Sequence, residues 1–143
     1  MGIPVFAPRF DTDQMRPYYE GLEQGELRLT ACGHCGRWLW YPPEVSPCHP
    51  DAPVEWRPVS PEGEVYTYTT IFRSLLPGDH AADVPYTVLM VESDSAPGCR
   101  IPSLLVEAEG VEPACGMRVR LKPVRAGDFV LPAFEPLPAG GAR

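Results

Sequence analysis

Residues 32–51 read CGHCGRWLWYPPEVSPCHPD, and the fold turns on how this stretch is understood. Cys32 and Cys35 are separated by two residues, Gly33 lies between them, Gly36 follows, and Cys48 comes further along the same stretch. Two thiolates at that spacing chelate one ion, while glycines in the turn let backbone N–H groups point at the sulfurs. Zinc fits best. A second two-residue spacing after Cys48 would put a fourth cysteine at position 51, where the chain has Asp51. The fourth donor is then the Asp51 carboxylate, the His49 ring nitrogen, or nothing, with the metal lost; spacing alone puts Asp51 first. The competing reading is a set of buried or fortuitous thiols without metal. A ribbon of this kind buries little apolar surface, so bound zinc would contribute folding free energy on the order of 10 kcal/mol. A catalytic zinc would need an open position and a general base, and no base is evident in the stretch.

Towards the N-terminus, Leu27, Leu29 and Ala31 alternate with Glu26, Arg28 and Thr30, the pattern of a half-buried strand running into Cys32. Before it, Met15, Tyr18, Tyr19 and Leu22 make one apolar stripe of a short helix, with Asp13 to cap it, Pro17 tolerated in its first turn and Gly25 to end it. Residues 1–12 have no periodicity and read as an arm that orders only against something else.

Towards the C-terminus, five stretches of strand character recur with turn signals between them: Glu64 to Arg73, Tyr86 to Ser93, Arg100 to Glu107, Met117 to Val124 and Phe129 to Phe134. Short strands at this spacing predict a small barrel or sandwich. The chain divides into an arm and helix (1–25), a ribbon (26–60), a barrel (61–135) and a frayed tail (136–143).

Composition agrees with a mostly β chain. The 19 prolines and 13 glycines interrupt helices and sheet interiors, which favours short strands and loops. A formal net charge of −7 opposes nucleic-acid or anionic-membrane binding, both of which rest on clustered Lys and Arg. No apolar run is long enough to span a bilayer, and Phe6 stands where myristoylation wants Ser or Thr. Five cysteines, three of them crowded into residues 32–48, suit a metal site better than a disulfide framework, and a reducing, cytoplasmic location follows.

Other candidates read as structural. His80, in the loop LPGDHAADVP, is expected to be a solvated imidazole, and His34 to be exposed in the knuckle. Cys99 and Cys115 are expected to be core thiols rather than nucleophiles. Trp38, Trp40, Tyr41 and Trp56 are either a docking surface or the ribbon's own packing. No nucleophile elbow, Walker loop, dinucleotide fingerprint or zincin motif occurs, so no residue is assigned a catalytic role.

The segments YYEGLEQGELRLTACGHCGRWLWYPP, WRPVSPEGEVYTYTTIFR, PYTVLMVE, CGMRVRLKPV and FVLPAFEP, in this order from about Tyr18 to Pro136, resemble the acyl-CoA-associated proteins with a rubredoxin-like zinc ribbon and an OB fold. The resemblance implies a helical hairpin-like N-terminus, the ribbon, and a five-stranded OB barrel. It further implies a noncatalytic accessory subunit that organises a complex with a thiolase-fold partner from a separate gene, a thiolase, aldolase or acyltransferase, in a heterotetramer or larger assembly. A coenzyme A thioester would be shared with that partner, and the loop from Pro77 to Pro85 would wall its cleft. The metal role carries over onto Cys32, Cys35, Cys48 and, in place of the usual cysteine, Asp51. Docking of this kind leaves an exposed apolar patch on the chain alone. The alternative is an OB-fold module for single-stranded nucleic acid that uses Tyr66, Tyr68 and Phe72 as stacking platforms, against which the acidity of the chain counts.

Overall fold

A short helix and three antiparallel strands precede the barrel in the computed structural model, which describes residues 12–138. Helix α1 spans Arg16–Glu23, with Pro17 in its first turn. Asp13 does not cap it: the Thr12 carbonyl accepts from the N–H groups of Met15 and Arg16, and the Asp13 carboxylate pairs instead with Arg16 at 2.8 Å. Gly25 ends the helix as expected. At φ +72° it allows Gly25 N–H to reach Leu22 O and Glu26 N–H to reach Gly21 O, the paired bonds of a Schellman cap. Among the described residues α1 is the one α-helix, so the implied hairpin-like N-terminus reduces to a single helix there. The expected arm lies almost wholly outside the described residues.

Strand β1 (Leu27–Cys32) is flanked by β2 (Trp38–Leu39) and β3 (Val54–Val59), both antiparallel to it. The predicted half-burial of β1 does not hold at Thr30, which is fully buried and donates its hydroxyl to the Leu39 carbonyl. Strand β3 was not foreseen. Its Pro58 argues against a central strand, but β3 lies at the sheet edge, where a missing N–H costs little.

Five strands then close a barrel: β4 (Glu62–Ile71), β5 (Tyr86–Ser93), β6 (Arg100–Leu105), β7 (Arg118–Leu121) and β10 (Ala133–Pro136). Their order around the barrel is β10-β6-β5-β4-β7, with β10 parallel to β6 and antiparallel to β7. A meander of three strands whose first strand also pairs the fourth, and whose fifth bridges the third and fourth, is the OB arrangement. The last predicted strand, Phe129 to Phe134, is in fact two. Pro132 divides it into β9 (Phe129–Leu131), which pairs with β8 (Val124–Ala126) in a separate hairpin, and β10.

Inward-facing Val65, Leu89, Val91, Ile101, Val119 and Phe134 fill the barrel, each with at most 1 % of its surface exposed. The core continues without a break into Leu27 and Leu29 of β1 and Tyr18 and Leu22 of α1, so ribbon root and barrel share one apolar cluster. Gly63 fixes the close approach of β4 to β5: a Cβ there would sit 2.3 Å from the Glu92 carbonyl oxygen. Gly63→Ala is therefore expected to destabilise the barrel by about 1–3 kcal/mol, the usual range for overpacking, as read by urea unfolding. A variant as stable as the parent would show that β4 can simply move away.

Candidate metal centre

The first half of the site is a knuckle at the end of β1. Cys32 N–H bonds the Arg37 carbonyl at 2.9 Å, and Gly36 N–H bonds the Cys32 carbonyl at 2.9 Å, folding residues 32–37 back on themselves. Both glycines are required. Gly36 takes φ +74°, and a Cβ on Gly33 would lie within 3.0 Å of Pro53 and of the Glu55 carboxylate, because Gly33 N–H bonds the Pro53 carbonyl at 2.8 Å.

The second half is the loop between β2 and β3. Ser46 is fully buried there; its hydroxyl lies 3.3 Å from Cys48 Sγ and accepts from His49 N–H at 3.4 Å. A turn in which Ala52 N–H bonds His49 O then leads to β3.

These two loops bring Cys32, Cys35, Cys48 and His49 together, with all four ligand atoms within 4.8 Å of one another. Cys35 Sγ is 3.4 Å from Cys48 Sγ, and Cys32 Sγ is 3.6 Å from His49 Nδ1. Asp51, placed first by spacing, lies outside this group and is exposed, while His49 occupies the fourth corner. The turn after Cys48 is reason enough: it directs the residue next to the cysteine inward and carries the one at 51 outward.

Negative charge is favoured on two of the three thiols and opposed on the third. The backbone N–H of Cys35, helped by the Ser46 hydroxyl, lowers the Cys32 thiol to about 5. Ser46 and then His49 also lower Cys48, and the contact with Cys48 raises His49. The Arg37 N–H pulls Cys35 down, yet its neighbours Cys48 and Cys32 outweigh that pull and the net direction is up. Three thiols this close resist ionising together unless a cation lies among them. Three sulfurs and one imidazole nitrogen are a donor set of structural zinc sites, so the residues fit the ion. Ser46 is the member that the sequence reading passed over. Its signal was a serine two residues before a cysteine and three before a histidine, the spacing at which a hydroxyl caps a turn.

The remaining candidates fall apart spatially. His34 is exposed as expected, its ring 4.2 Å from that of His49. Trp38, Trp40 and Trp56 pack against the core, with Trp40 and Trp56 beside the buried Tyr18 ring, whereas Tyr41 is exposed. Cys99 is buried, and burial pushes its thiol up to about 11. Cys115 is corrected: it is exposed, because it lies in the turn before β7 and not in the strand.

His80 is also corrected. Its ring is not simply solvated, since Nδ1 lies 2.8 Å from the Asp83 carboxylate and Nε2 lies 3.0 Å from the Pro77 carbonyl. Hydrogen bonding to Asp83 raises the His80 pKa above the ordinary 6.5. A raised folded-state pKa stabilises the loop fully below the ordinary value, and this contribution is lost as pH rises through the folded one. We expect the His80 ring signals in NMR to titrate above 6.5 and to return towards it in Asp83→Asn. A midpoint at or below 6.5 in the parent would contradict the contact.

A bulge in β4 separates the aromatic residues that looked like a stacking ladder. Between Val65 and Thr67 the register with β5 slips by one, so Tyr68 pairs with inward-facing Leu89 while Tyr66 stays on the outer face. There the Arg100 guanidinium lies over one face of the Tyr66 ring, 3.7 Å from its centroid, and the residue stays 52% exposed.

Comparison with known families agrees with this architecture. Residues 20–49 match the rubredoxin-like zinc ribbon domain of ChsH2, and residues 56–123 match the C-terminal OB-fold domain of ChsH2. The first match includes all four clustered donors and stops short of Asp51. A solved structure described as an Ltp2-ChsH2(DUF35) aldolase contains a chain 22% identical, with a TM-score of 0.74 over 92% of this chain and 98% of that one. A DUF35-family protein of unknown function from Sulfolobus solfataricus is 14% identical, with a TM-score of 0.57 over 87% and 86%. At these identities the solved structures establish the fold alone. No curated protein matches the chain.

Proposed function

Since the chain belongs to the family that joins the ChsH2 zinc ribbon to the ChsH2 OB fold, we propose that it is a noncatalytic accessory subunit of an acyl-CoA-processing complex. Its partner is a thiolase-fold enzyme from a separate gene, a thiolase, aldolase or acyltransferase, in a cytoplasmic heterotetramer or larger assembly. The small chain organises that complex, and the coenzyme A thioester sits in a site shared with the partner. The observation that carries the reading is the two-domain match in the right order, taken with the likeness to a chain from a structure described as an aldolase.

The metal centre has a structural part in this proposal. Cys32, Cys35, Cys48 and His49 hold one zinc ion, whose chemistry here is to tie the knuckle to the second loop. Four protein donors complete a tetrahedron and leave no position for a substrate, which is why we assign catalysis to the partner. The alternative of single-stranded nucleic-acid binding is less well supported: one face of Tyr66 already carries the Arg100 guanidinium, the bulge separates Tyr66 from Tyr68, and the net charge is −7.

Affinity purification from the native host, with mass spectrometry of the recovered proteins, tests the proposal. Recovery of a thiolase-fold protein at near-equal stoichiometry is the expected result. A chain that elutes alone and turns over acyl-CoA unaided would sink it, as would oligonucleotide binding tighter than micromolar at low salt.

A further inference from the structure

At one end of the barrel, where β4 and β6 finish and β5 begins, lies a hollow of about 300 Å³. Thr70 and Thr87, paired across the β4–β5 ladder with their hydroxyls 2.9 Å apart, contribute to its lining. Phe72, Leu105 and Val111 supply apolar walls. Strand β4 overhangs here, since its ladder with β7 ends at Glu64 while its ladder with β5 runs on to Ile71. Phe72 is left 76% exposed and Val111 41% exposed, two large apolar groups that face water beside the same hollow.

The loop after β6 lines this hollow with Glu109, and Glu107 and Glu112 lie in the same loop, all three exposed. None of the three has an ion-pair partner among the described residues, whereas Glu23, Glu26, Glu55, Glu92 and Glu135 each face an arginine. Glu107 has φ +53°, a left-handed conformation that glycine takes freely and a residue with a Cβ takes at a cost. Glu107 is thus held in a backbone conformation that its residue type does not favour.

We infer that this barrel end is the surface on which the protein partner docks, with an apolar side chain of the partner inserted between Phe72 and Val111 and lysine or arginine residues around it paired with Glu107, Glu109 and Glu112. The charge argument selects the occupant. A loop with three carboxylates that lack ion-pair partners among the described residues, one of them lining the apolar hollow, repels an acyl-CoA phosphate, a nucleic acid or a second copy of this acidic chain, and attracts a basic protein rim. The inference rests on the reading above that the chain has a thiolase-fold partner.

The test uses the full chain and the thiolase-fold protein recovered with it, expressed separately and titrated by calorimetry. Phe72→Ala is expected to weaken binding about thirtyfold, the loss typical of a central anchor residue. Glu107→Lys, Glu109→Lys and Glu112→Lys together are expected to weaken it further and to reverse its dependence on salt. The melting temperature and zinc content of the free chain should stay unchanged in both variants, because the substituted side chains are exposed. Variants that bind as tightly as the parent would show that the partner docks elsewhere, overturning the inference while the accessory-subunit reading stands. A parent chain that binds no thiolase-fold protein would remove both, and a Phe72→Ala chain that fails to fold would show the ring to be a core residue and overturn the inference alone.

Discussion

Replacing Cys48 by Ser is expected to release the zinc and unfold the loops between β1 and β3, leaving the barrel intact. The knuckle and the second loop meet at the four clustered donors, and Cys48 Sγ, 3.4 Å from Cys35 Sγ, is one of the four atoms that would clasp the ion. Zinc contributes about 10–16 kcal/mol to the folding of small zinc-finger peptides, comparable to the whole stability of an ordinary domain. The damage should stay local, because Leu27 and Leu29 belong to the cluster shared with the barrel and do not depend on the metal. Metal analysis should fall from one zinc per chain to a small fraction of that, and hydrogen exchange should become fast over residues 32–53 while β4 to β6 stay protected. A variant that keeps one tightly bound zinc, or a barrel that melts with the loops, would contradict this picture.

Phe134→Ala is the second large effect, and it acts on the barrel and on the apolar cluster that the barrel shares with the ribbon root. Phe134 is 1% exposed on β10, the strand that closes the barrel by pairing with Leu105 of β6 on one side and Leu121 of β7 on the other. Its carbonyl accepts the Val106 N–H at 2.9 Å, so the ring and the backbone seal the same seam. Truncating a buried Phe to Ala commonly costs about 3–5 kcal/mol through lost transfer free energy and the cavity left behind. Against a total of about 5–15 kcal/mol this removes much of the margin. Urea unfolding should show a lower midpoint with an unchanged slope. A loss under about 1 kcal/mol would mean that β10 contributes little to closure.

The barrel was legible in the sequence where alternation and turn signals agree. The limits of β5 were read directly, since Tyr86 to Ser93 is a stretch of strand character framed by a proline and a turn. Where two apolar runs meet at a proline the reading failed: Phe129 to Phe134 looks like one strand, yet Pro132 breaks the ladder and lets the chain change sheets. Strand β3 was missed for the opposite reason, because Pro53 and Pro58 frame it like a loop and only its edge position makes them harmless.

The clustering of the three sulfurs was legible from spacing, whereas the place of His49 beside them was not. Counting positions favoured Asp51, but ligation depends on which side of a turn a residue faces, and the bond from Ala52 N–H to His49 O is invisible in a one-dimensional pattern. The buried hydroxyl of Ser46 was missed likewise. The inner and outer faces of Tyr66 and Tyr68 could not be read either, since a bulge changes the side-chain parity without altering composition.

X-ray absorption at the zinc edge of the purified chain tests the metal centre most directly. The account predicts three sulfur neighbours at about 2.3 Å and one nitrogen at about 2.0–2.1 Å, unchanged in Asp51→Ala and lost in His49→Ala. An oxygen in the fourth position that disappears in Asp51→Ala, or a folded chain that holds no zinc at all, would contradict it.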